Sequence, residues 1–546
     1  MVIPMQRVAM IGLDAAEPEL IERMMAAGQL PTLARLKQRS AHCRLHSEAT
    51  WRSGRVWETF LTGEADFASA ALFEPATYAS FQLGSRKKAP FYAQVPRAKL
   101  VALDVPYLSL WHDTPGIQVI WGGHDAGYPR ASRPAGLLRE IDARCGVHPA
   151  FHNDFSCAWH HAESINVLAD ALLTGLRRRV KVARWLLERE PDWNLFLTVL
   201  SEAHSAGEIF WHGLGGDHPL AHTPTAALAK RRLEEVYREL DRAVGALQQA
   251  LPAETTLVVT SVHGMEMNHY DVPSMALLPE LLHRAHFGRG LLSSTNAAVW
   301  RWRGSPPVLP GSRQKWTAWM KEHFNVQPAR RWLTAWKRAL GLRRHHGRPI
   351  EELAVPIPPE TDLPPEQIAE PRWPLNWQTT CWYREHWPRM KAFALPVFYD
   401  GRVRINLQGR EGEGVVPIEE YRATCDWVIK LLEECRDART GGPVLAGVER
   451  PRWRDPLDPA GPDADLVLTW HPAVDAFVHP RLGLVGPVPF RRTGGHTDRG
   501  FAYLAGPGIA AQDLGQREAL HLTPTLLDLL GQPRAHSFLP RRAAAA

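Results

Sequence analysis

The chain has 546 residues, of which 45% are hydrophobic and 22% charged, and this composition excludes a disordered or fibrous protein. The formal net charge of +6 is too small at this length to indicate a nucleic acid partner, although it suits an anionic substrate. The six cysteines are dispersed without a C-x-x-C pair, which excludes a zinc-finger pattern and favours a reducing compartment. No apolar run reaches the length of a membrane helix and the N-terminus does not resemble a signal peptide, so we expect a cytoplasmic protein.

Short apolar runs typical of core strands recur along the chain and alternate with segments of helical period. Several runs are apolar on both faces, as strands are when helices cover both sides of a sheet. The alternation predicts an α/β fold with a mostly parallel central sheet. Functional side chains in such sheets gather at the carboxyl ends of strands. The runs are residues 8–13, 100–103, 119–121, 195–200, 256–260, 466–468 and 501–504.

A stretch rich in tryptophan, arginine and proline interrupts this pattern between residues 300 and 395. We therefore predict a core made of residues 1–300 and 441–546, with residues 301–440 as an inserted cap. Within the insertion, residues 329–348 have the pattern of a basic amphipathic helix. A lid or packing helix with a solvated basic face explains it, and contact with a membrane surface or a polyanion is the alternative.

Asp14 directly follows the first apolar run, where a carboxylate is well placed to hold a cation. The alternative is a capping role for the helix predicted over residues 18–27.

Ser53 lies in the segment TWRSGRVWETFLTG, residues 50–63, directly before a helical pattern. A hydroxyl at a helix start sits in the positive field of the backbone N–H groups, and Arg52 and Arg55 would favour an anionic group bound beside it. The alternatives are an N-cap serine with ordinary surface arginines, and Thr50 as a rival hydroxyl.

Three further segments place imidazoles near predicted strands. His204 and Glu208 follow the run at 195–200 with i, i+4 spacing, so on a helix they share one face and form a possible metal-ligand pair. His263 follows the run at 256–260, and His496 lies in a glycine-rich segment before the last run. Each residue has a purely structural explanation by itself, and only the set at strand ends favours a common site.

The ordered motifs resemble those of the alkaline phosphatase superfamily, in particular its type I phosphodiesterase/nucleotide pyrophosphatase branch. The resemblance extends over nearly the whole chain, and the order and spacing of the motifs make it specific. The segments that carry it are IGLDAAEPELIERMMAAGQLPTLARLKQRSA, TWRSGRVWETFLTG, TSVHGM, RINLQGRE, GGHTDRGFAYLAGPGI and HLTPTLLDLLGQP.

The resemblance implies a three-layer α/β/α sandwich with a mostly parallel sheet and a site for two divalent metals. Asp14, Ser53 and His263 match one metal site, but its usual second aspartate falls at Val262, which cannot ligate. The other site, usually Asp-x-x-x-His with a distant histidine, matches His204, Glu208 and His496. Carboxylate and imidazole are thus exchanged at the same spacing. The candidates to replace the lost aspartate are Glu202, His124, Asp125, Asn268, His269 and Asp498.

We therefore expect a metal-dependent hydrolase or transferase of phosphate esters, most readily phosphodiesters, with Ser53 as nucleophile and Arg52 or Arg55 neutralising phosphate oxygens. The expected cofactor is one or two divalent ions, Zn²⁺ or else Mn²⁺, and the expected partner is a small anionic ester. The oligomeric state is open. The alternatives are a sulfate-ester or phosphomonoester hydrolase, and a degenerate relative that acts as a binding scaffold.

Overall fold

A computed structural model describes residues 6–47, 54–64, 71–83, 88–122, 130–150, 159–293, 316–325, 336, 360–361, 372–472 and 474–539. Its helices are α1 (Pro18–Ala26), α2 (Pro31–Gln38), α3 (Val56–Thr62), α4 (Leu137–Cys145), α5 (Ala162–Arg189), α6 (Glu202–Phe210), α7 (Ala226–Ala250), α8 (Leu278–Phe287), α9 (Trp316–His323), α10 (Tyr421–Glu433) and α11 (Leu522–Leu529). Its strands in the first half of the chain are β1 (Val8–Leu13), β2 (Ala41–His46), β3 (Ala71–Glu74), β4 (Ala79–Leu83), β5 (Leu100–Leu103), β6 (Gly116–Ile120), β7 (Ala131–Arg133), β8 (Leu195–Leu200), β9 (Thr256–Ser261) and β10 (Gly264–Met267). The later strands are β11 (Arg372–Pro374), β12 (Ala392–Ala394), β13 (Gly401–Ile405), β14 (Arg436–Asp437), β15 (Leu445–Glu449), β16 (Leu466–Trp470), β17 (Phe477–His479), β18 (Gly483–Val485), β19 (Gly494–Thr497), β20 (Arg499–Ala505) and β21 (Gln512–Glu518).

The central layer is a nine-stranded sheet in the order β21-β2-β20-β9-β1-β8-β5-β6-β7. The five neighbours from β9 to β6 are parallel to one another, whereas β20 runs antiparallel to both β9 and β2. Helices cover both faces of this sheet. The structure confirms the predicted three-layer α/β/α sandwich with a mostly parallel sheet.

Strand β1 shows why the sheet needs helices on both sides. Ala9, Ile11 and Leu13 belong to the core on one face, while Val8 and Met10 belong to the core on the other. Successive side chains of a strand point to opposite faces, so an entirely apolar strand is buried only between two layers. Each fully buried large aliphatic side chain of this kind stabilises the fold by about 1.5–3 kcal/mol.

The strand predicted at residues 466–468 lies outside the nine-stranded sheet. It forms β16 in a four-stranded sheet of order β12-β13-β16-β15, and the main sheet resumes only at β20. Burial alternates along β16, which is typical of a half-buried antiparallel strand rather than of a parallel core strand. The segment around residues 441–485 therefore packs with the second core and not with the main sheet.

The RINLQGRE segment has a structural role in this second core. Arg410 forms ion pairs with the buried carboxylate of Asp465 at 2.6 Å, and Glu411 accepts hydrogen bonds from Arg404 at 2.5 Å and Arg410 at 2.9 Å. The fully buried amide of Asn406 donates to backbone carbonyls, including that of Trp387 at 3.0 Å. These contacts satisfy the polar groups that the second core buries.

Within the described ranges, no helix combines the length and the apolar character that crossing a membrane requires. The basic segment at 329–348 lies outside the described residues except for Trp336, whose side chain is exposed.

Two buried imidazoles connect α6 and α7 to the segment before β19. His218 donates from Nε2 to the Thr493 carbonyl at 3.0 Å and accepts the Leu220 N–H on Nδ1 at 3.0 Å, which is the pattern of a neutral ring. Its ring centroid lies 6.2 Å from that of His212. Burial lowers the pKa of His212 to about 3 and that of His218 to about 4.

The His212 and His218 rings should therefore reduce the stability of the fold as the pH falls from 6.5 to about 4. An unfolded chain takes up protons at these rings near pH 6.5, whereas the folded chain does not, so stability is present at neutral pH and is lost as the pH falls. Each ring contributes up to about 1.4 kcal/mol per pH unit to the free energy of unfolding. Urea denaturation at pH 7, 6 and 5 measures this dependence.

His212→Gln should make that pH dependence less steep, and His222→Gln is the matched control because the His222 side chain is exposed on the same segment. An identical slope for His212→Gln and the unsubstituted protein would contradict this assignment.

Candidate functional site

Three adjacent parallel strands end at the same edge of the main sheet and deliver the first polar side chains. Asp14 follows β1, His263 follows β9 by two residues, and α6 begins two residues after β8. The register pairs the last residue of β1 with the last residue of β8, and the Asp14 N–H donates to the Leu200 carbonyl at 3.0 Å. Parallel neighbours must end on the same side, so these distant segments meet.

Strand β19 brings His496 between the other two imidazoles. It pairs antiparallel with β10, so that His496 lies opposite Met265. A Cβ on Gly494 would overlap the carbonyl oxygen of Gly207 in α6, so a glycine at 494 permits this close approach. The His496 ring centroid consequently lies 4.6 Å from that of His263 and 4.7 Å from that of His204.

His204, Glu208 and His496 form a compact set of possible metal ligands. Their donor atoms all lie within 4.8 Å of one another, and Nε2 of His204 is 3.7 Å from Oε1 of Glu208. Both α6 side chains are partly accessible, at 13% and 12% exposure, as the predicted common helix face requires. Two imidazoles and one carboxylate with an accessible side fit a divalent cation such as zinc.

Asp14 and His263 lie at the other end of the row of imidazoles. Nε2 of His263 is 3.1 Å from Oδ1 of Asp14, and Nε1 of Trp57 donates to the same oxygen at 2.6 Å. Asp14 does not cap the following helix, because Glu17 occupies the N-cap position of α1. Val262 is buried next to His263 and offers no ligand atom.

A glycine in β1 makes room for the tryptophan beside Asp14. A Cβ on Gly12 would lie 2.6 Å from Cη2 of Trp57, closer than packed carbon atoms approach. Trp57 belongs to α3, so the indole fixes the start of this helix against the Asp14 segment. This contact connects the segment of the predicted nucleophile to the rest of the site.

Ser53, Arg52 and the rival hydroxyl Thr50 lie outside the described residues. Arg55 is described: its side chain is fully buried and forms an ion pair with Glu58 in α3. Its Cζ atom lies 5.9 Å from the ring centroid of Tyr107. In this position the guanidinium pairs with the Glu58 carboxylate of α3. Direct binding of a substrate by Arg55 stays a prediction.

Four of the candidates for replacing the lost aspartate lie in the described ranges, and each of them forms hydrogen bonds with residues outside the proposed ligand set. Glu202 is bonded to His148 at 2.9 Å and to Arg179 at 3.2 Å in a fully buried network. Nδ1 of His269 donates to the Met267 carbonyl, and the Asn268 oxygen accepts the N–H of Asp271. Asp498 accepts a hydrogen bond from the Thr497 hydroxyl at 3.2 Å. His124 and Asp125 lie outside the described residues.

Arg492 is a residue of the site that the motifs did not indicate. Its Nη1 forms an ion pair with Oε1 of Glu208, while its Nε and Nη2 bind the two oxygens of Asp271 at 2.8 Å and 3.2 Å. Burial lowers the pKa of Arg492 to about 9, so the guanidinium is charged at neutral pH. The signal in the sequence was the Arg491-Arg492 pair, which only Thr493 separates from the glycine-rich segment of His496.

Two tyrosines complete the surroundings of His496. The ring of Tyr399 stacks on the His496 imidazole at 5.0 Å with an interplanar angle of 24°, and the Tyr270 hydroxyl accepts the His496 N–H. Tyr399 lies between β12 and β13, so the second sheet contributes directly to the wall of the site.

Two of the solved structures that are similar to this chain are the following. Phosphonoacetate hydrolase from Sinorhizobium meliloti 1021, in complex with phosphonoformate, is 13% identical, covers 97% of this chain and 96% of its own, and has a TM-score of 0.45. Murine ectonucleotide pyrophosphatase/phosphodiesterase 5, an inactive variant in complex with AMP, is 11% identical over 99% and 97% of the two chains, with a TM-score of 0.43.

A comparison with curated proteins finds no significant match. The family model of the type I phosphodiesterases/nucleotide pyrophosphatases matches residues 8–299, which is just over half of the chain. The matched region contains Asp14, His204, Glu208 and His263. The chain therefore belongs to the type I phosphodiesterase/nucleotide pyrophosphatase family of the alkaline phosphatase superfamily, and it is a phosphoester hydrolase.

Proposed function

We propose that this hydrolase is a metal-dependent phosphodiesterase that forms a covalent intermediate on Ser53. The observation that carries the proposal is the convergence of the donor atoms of His204, Glu208 and His496 within 4.8 Å of one another at the carboxyl edge of the sheet. Asp14 and His263 lie in the same row, so a hydroxyl brought to this edge would meet both charged and imidazole groups.

The three clustered side chains would hold the cation, and the other residues would orient the reacting groups. A divalent cation supplies Lewis acidity, which lowers the pKa of a nearby hydroxyl and neutralises charge on phosphate oxygens. The Ser53 hydroxyl loses its proton as its oxygen attacks phosphorus, the bond to the ester oxygen breaks, and the leaving alkoxide takes up one proton, so that the step is balanced. Water then attacks phosphorus and releases the serine hydroxyl with the phosphate monoester.

The residues that follow Ser53 in the chain support its assignment as the nucleophile. Trp57 binds Asp14 at 2.6 Å, and the Tyr107 hydroxyl donates to the Gly54 carbonyl at 2.8 Å. Both contacts hold the start of α3 against the site edge. Arg52 and Arg55 remain the proposed partners of non-bridging oxygens, Arg55 after release from Glu58.

The surroundings of the site favour a small ester with an organic group that packs on aromatic rings. Tyr399 stacks on His496, and Arg491 lies over the Trp377 ring with its Cζ atom 5.4 Å from the centroid. Flat rings and a guanidinium suit an anionic substrate of this kind. Zn²⁺ or Mn²⁺ is the proposed ion because imidazole and carboxylate are ligands that both accept.

A cytoplasmic location stays a prediction. Its support is that the cysteines of the described ranges are buried thiols, none of them in a disulfide.

Ser53→Ala should abolish turnover of bis-p-nitrophenyl phosphate, with a loss of at least about 10³-fold, because the variant lacks the attacking oxygen. The measurement is release of p-nitrophenol by the metal-loaded protein. Thr50→Ala is the matched control, since it removes the rival hydroxyl and should retain turnover.

Faster turnover of p-nitrophenyl phosphate or p-nitrophenyl sulfate than of the diester would replace the diesterase assignment by one of the alternative activities. No turnover with any of the three esters, in protein shown to bind metal, would identify the chain as a degenerate binding protein.

His204→Ala and His496→Ala should each release the bound ion and remove the stabilisation that the ion provides. A ligand present at 100 times its dissociation constant stabilises the folded state by about 2.7 kcal/mol, and loss of a ligand side chain removes most of this term. Metal content after dialysis and thermal melting with added Zn²⁺ measure both effects. His269→Ala is the control, and full metal content in both site variants would refute the assignment.

Val262→Asp should raise the affinity for a divalent cation at Asp14 and His263, because it returns a carboxylate beside the imidazole. Calorimetric titration with Zn²⁺ measures the change. Val262→Asn, of similar size but uncharged, is the matched control, and an unchanged affinity in the aspartate variant would mean that these residues do not form a metal site.

A further inference from the structure

Arg492 places a permanent positive charge among the proposed metal ligands. Its Nη1 contacts Oε1 of Glu208, the same oxygen that lies 3.7 Å from Nε2 of His204. The side chain is 5% exposed, so solvent screens this charge poorly.

The contacts of Arg492 hold the guanidinium in this position. Asp271 binds it through both carboxylate oxygens, at 2.8 Å and 3.2 Å. The backbone is fixed at the next residue, because the Thr493 N–H donates to the Glu208 carbonyl at 2.7 Å and the Thr493 carbonyl accepts from His218. These contacts fix the positive charge of Arg492 beside Glu208.

Among the described residues, the charged side chains that contact the row of imidazoles, or that pair with those side chains, suit one divalent cation. Asp14 and Glu208 contribute two negative charges, imidazoles ligate in the neutral form, and Arg492 cancels one of the two. The Asp271 carboxylate and the Arg491 guanidinium, 3.1 Å apart, cancel each other. Val262 stands where the resembling motif has a further aspartate. Two divalent cations would leave a large uncompensated positive charge in a poorly solvated site.

We infer that Arg492 supplies the positive charge that a second cation would otherwise bring, so that this chain binds one divalent ion beside its own guanidinium. The inference rests on the proposed function, because it concerns the same site and the same charge on the phosphate. A chelator therefore removes only the metal ion, because the second positively charged group, the Arg492 guanidinium, is part of the chain.

Calorimetric titration of chelator-stripped protein with Zn²⁺ alone, and with Mn²⁺ alone, tests this inference without measuring turnover. The unsubstituted chain should bind one ion. Arg492→Gln should bind that ion at least about tenfold more tightly, because it removes a unit charge close to Glu208 in a poorly screened site. The double variant Val262→Asp/Arg492→Gln should bind two ions, because it changes the site by two negative units.

Two matched variants separate charge from structure. Arg492→Lys retains the charge, and its ion affinity should stay within about threefold of the unsubstituted value. Arg491→Lys alters the other arginine on Asp271 without changing the charge, and its effect should be equally small. If Arg492→Gln fails to fold, Arg492→Met replaces it, because an unbranched apolar side chain of similar length removes the same unit charge.

Two ions in the unsubstituted chain, or an unchanged or weaker affinity in folded Arg492→Gln, would overturn the inference while leaving the proposed hydrolysis intact. Absence of any bound ion in the unsubstituted chain would instead overturn the metal dependence of the proposed function, and this inference with it.

Discussion

The close contact of β19 with α6 is the constraint on which the site depends. Without it, His204 and Glu208 would face an open sheet edge, and His263 would lie with Asp14 at a separate place. The contact exists because Gly494 lets β19 approach the backbone of α6, and because β19 pairs with β10 directly after His263. One imidazole, His496, thereby joins two groups of donors that the main sheet alone would keep apart.

The second core contributes side chains to the site and so influences its chemistry. Tyr399 reaches from the four-stranded sheet onto His496, and Asp271 follows β10 on the way into the same core. Asp271 orients Arg492 toward Glu208, so a residue near the second core helps to set the charge at the first. The RINLQGRE segment supports this arrangement from a distance, by holding the polar interior of the second core together.

The sequence predicted those parts of the molecule that local pattern controls. The apolar runs at 8–13, 195–200 and 256–260 identified three central strands, and the i, i+4 spacing of His204 and Glu208 identified a common face of α6. Spacing within a segment is a local property, so it survives folding unchanged.

The features that the sequence did not predict depend on contacts between segments that are distant in the chain. Arg492 meets Glu208 across 284 positions of sequence, and no pattern around either residue specifies that meeting. The run at 466–468 is apolar like a core strand, but its partners β13 and β15 are antiparallel and belong to another sheet. The contact between Trp57 and Asp14 likewise requires Gly12 of β1 to lie beneath the indole, which only the packed structure reveals.

The position of β20 has a consequence for biosynthesis. This strand is the link between β2 and β9 in the interior of the sheet, yet β10 to β19 all lie between β9 and β20 in the sequence. While the ribosome is translating that intervening segment, β2 and β9 each present an unpaired row of backbone N–H and C=O groups. The nascent polypeptide thus exposes two unpaired strand edges until β20 emerges and inserts between them, and that interval is when a chaperone would be of most use to it.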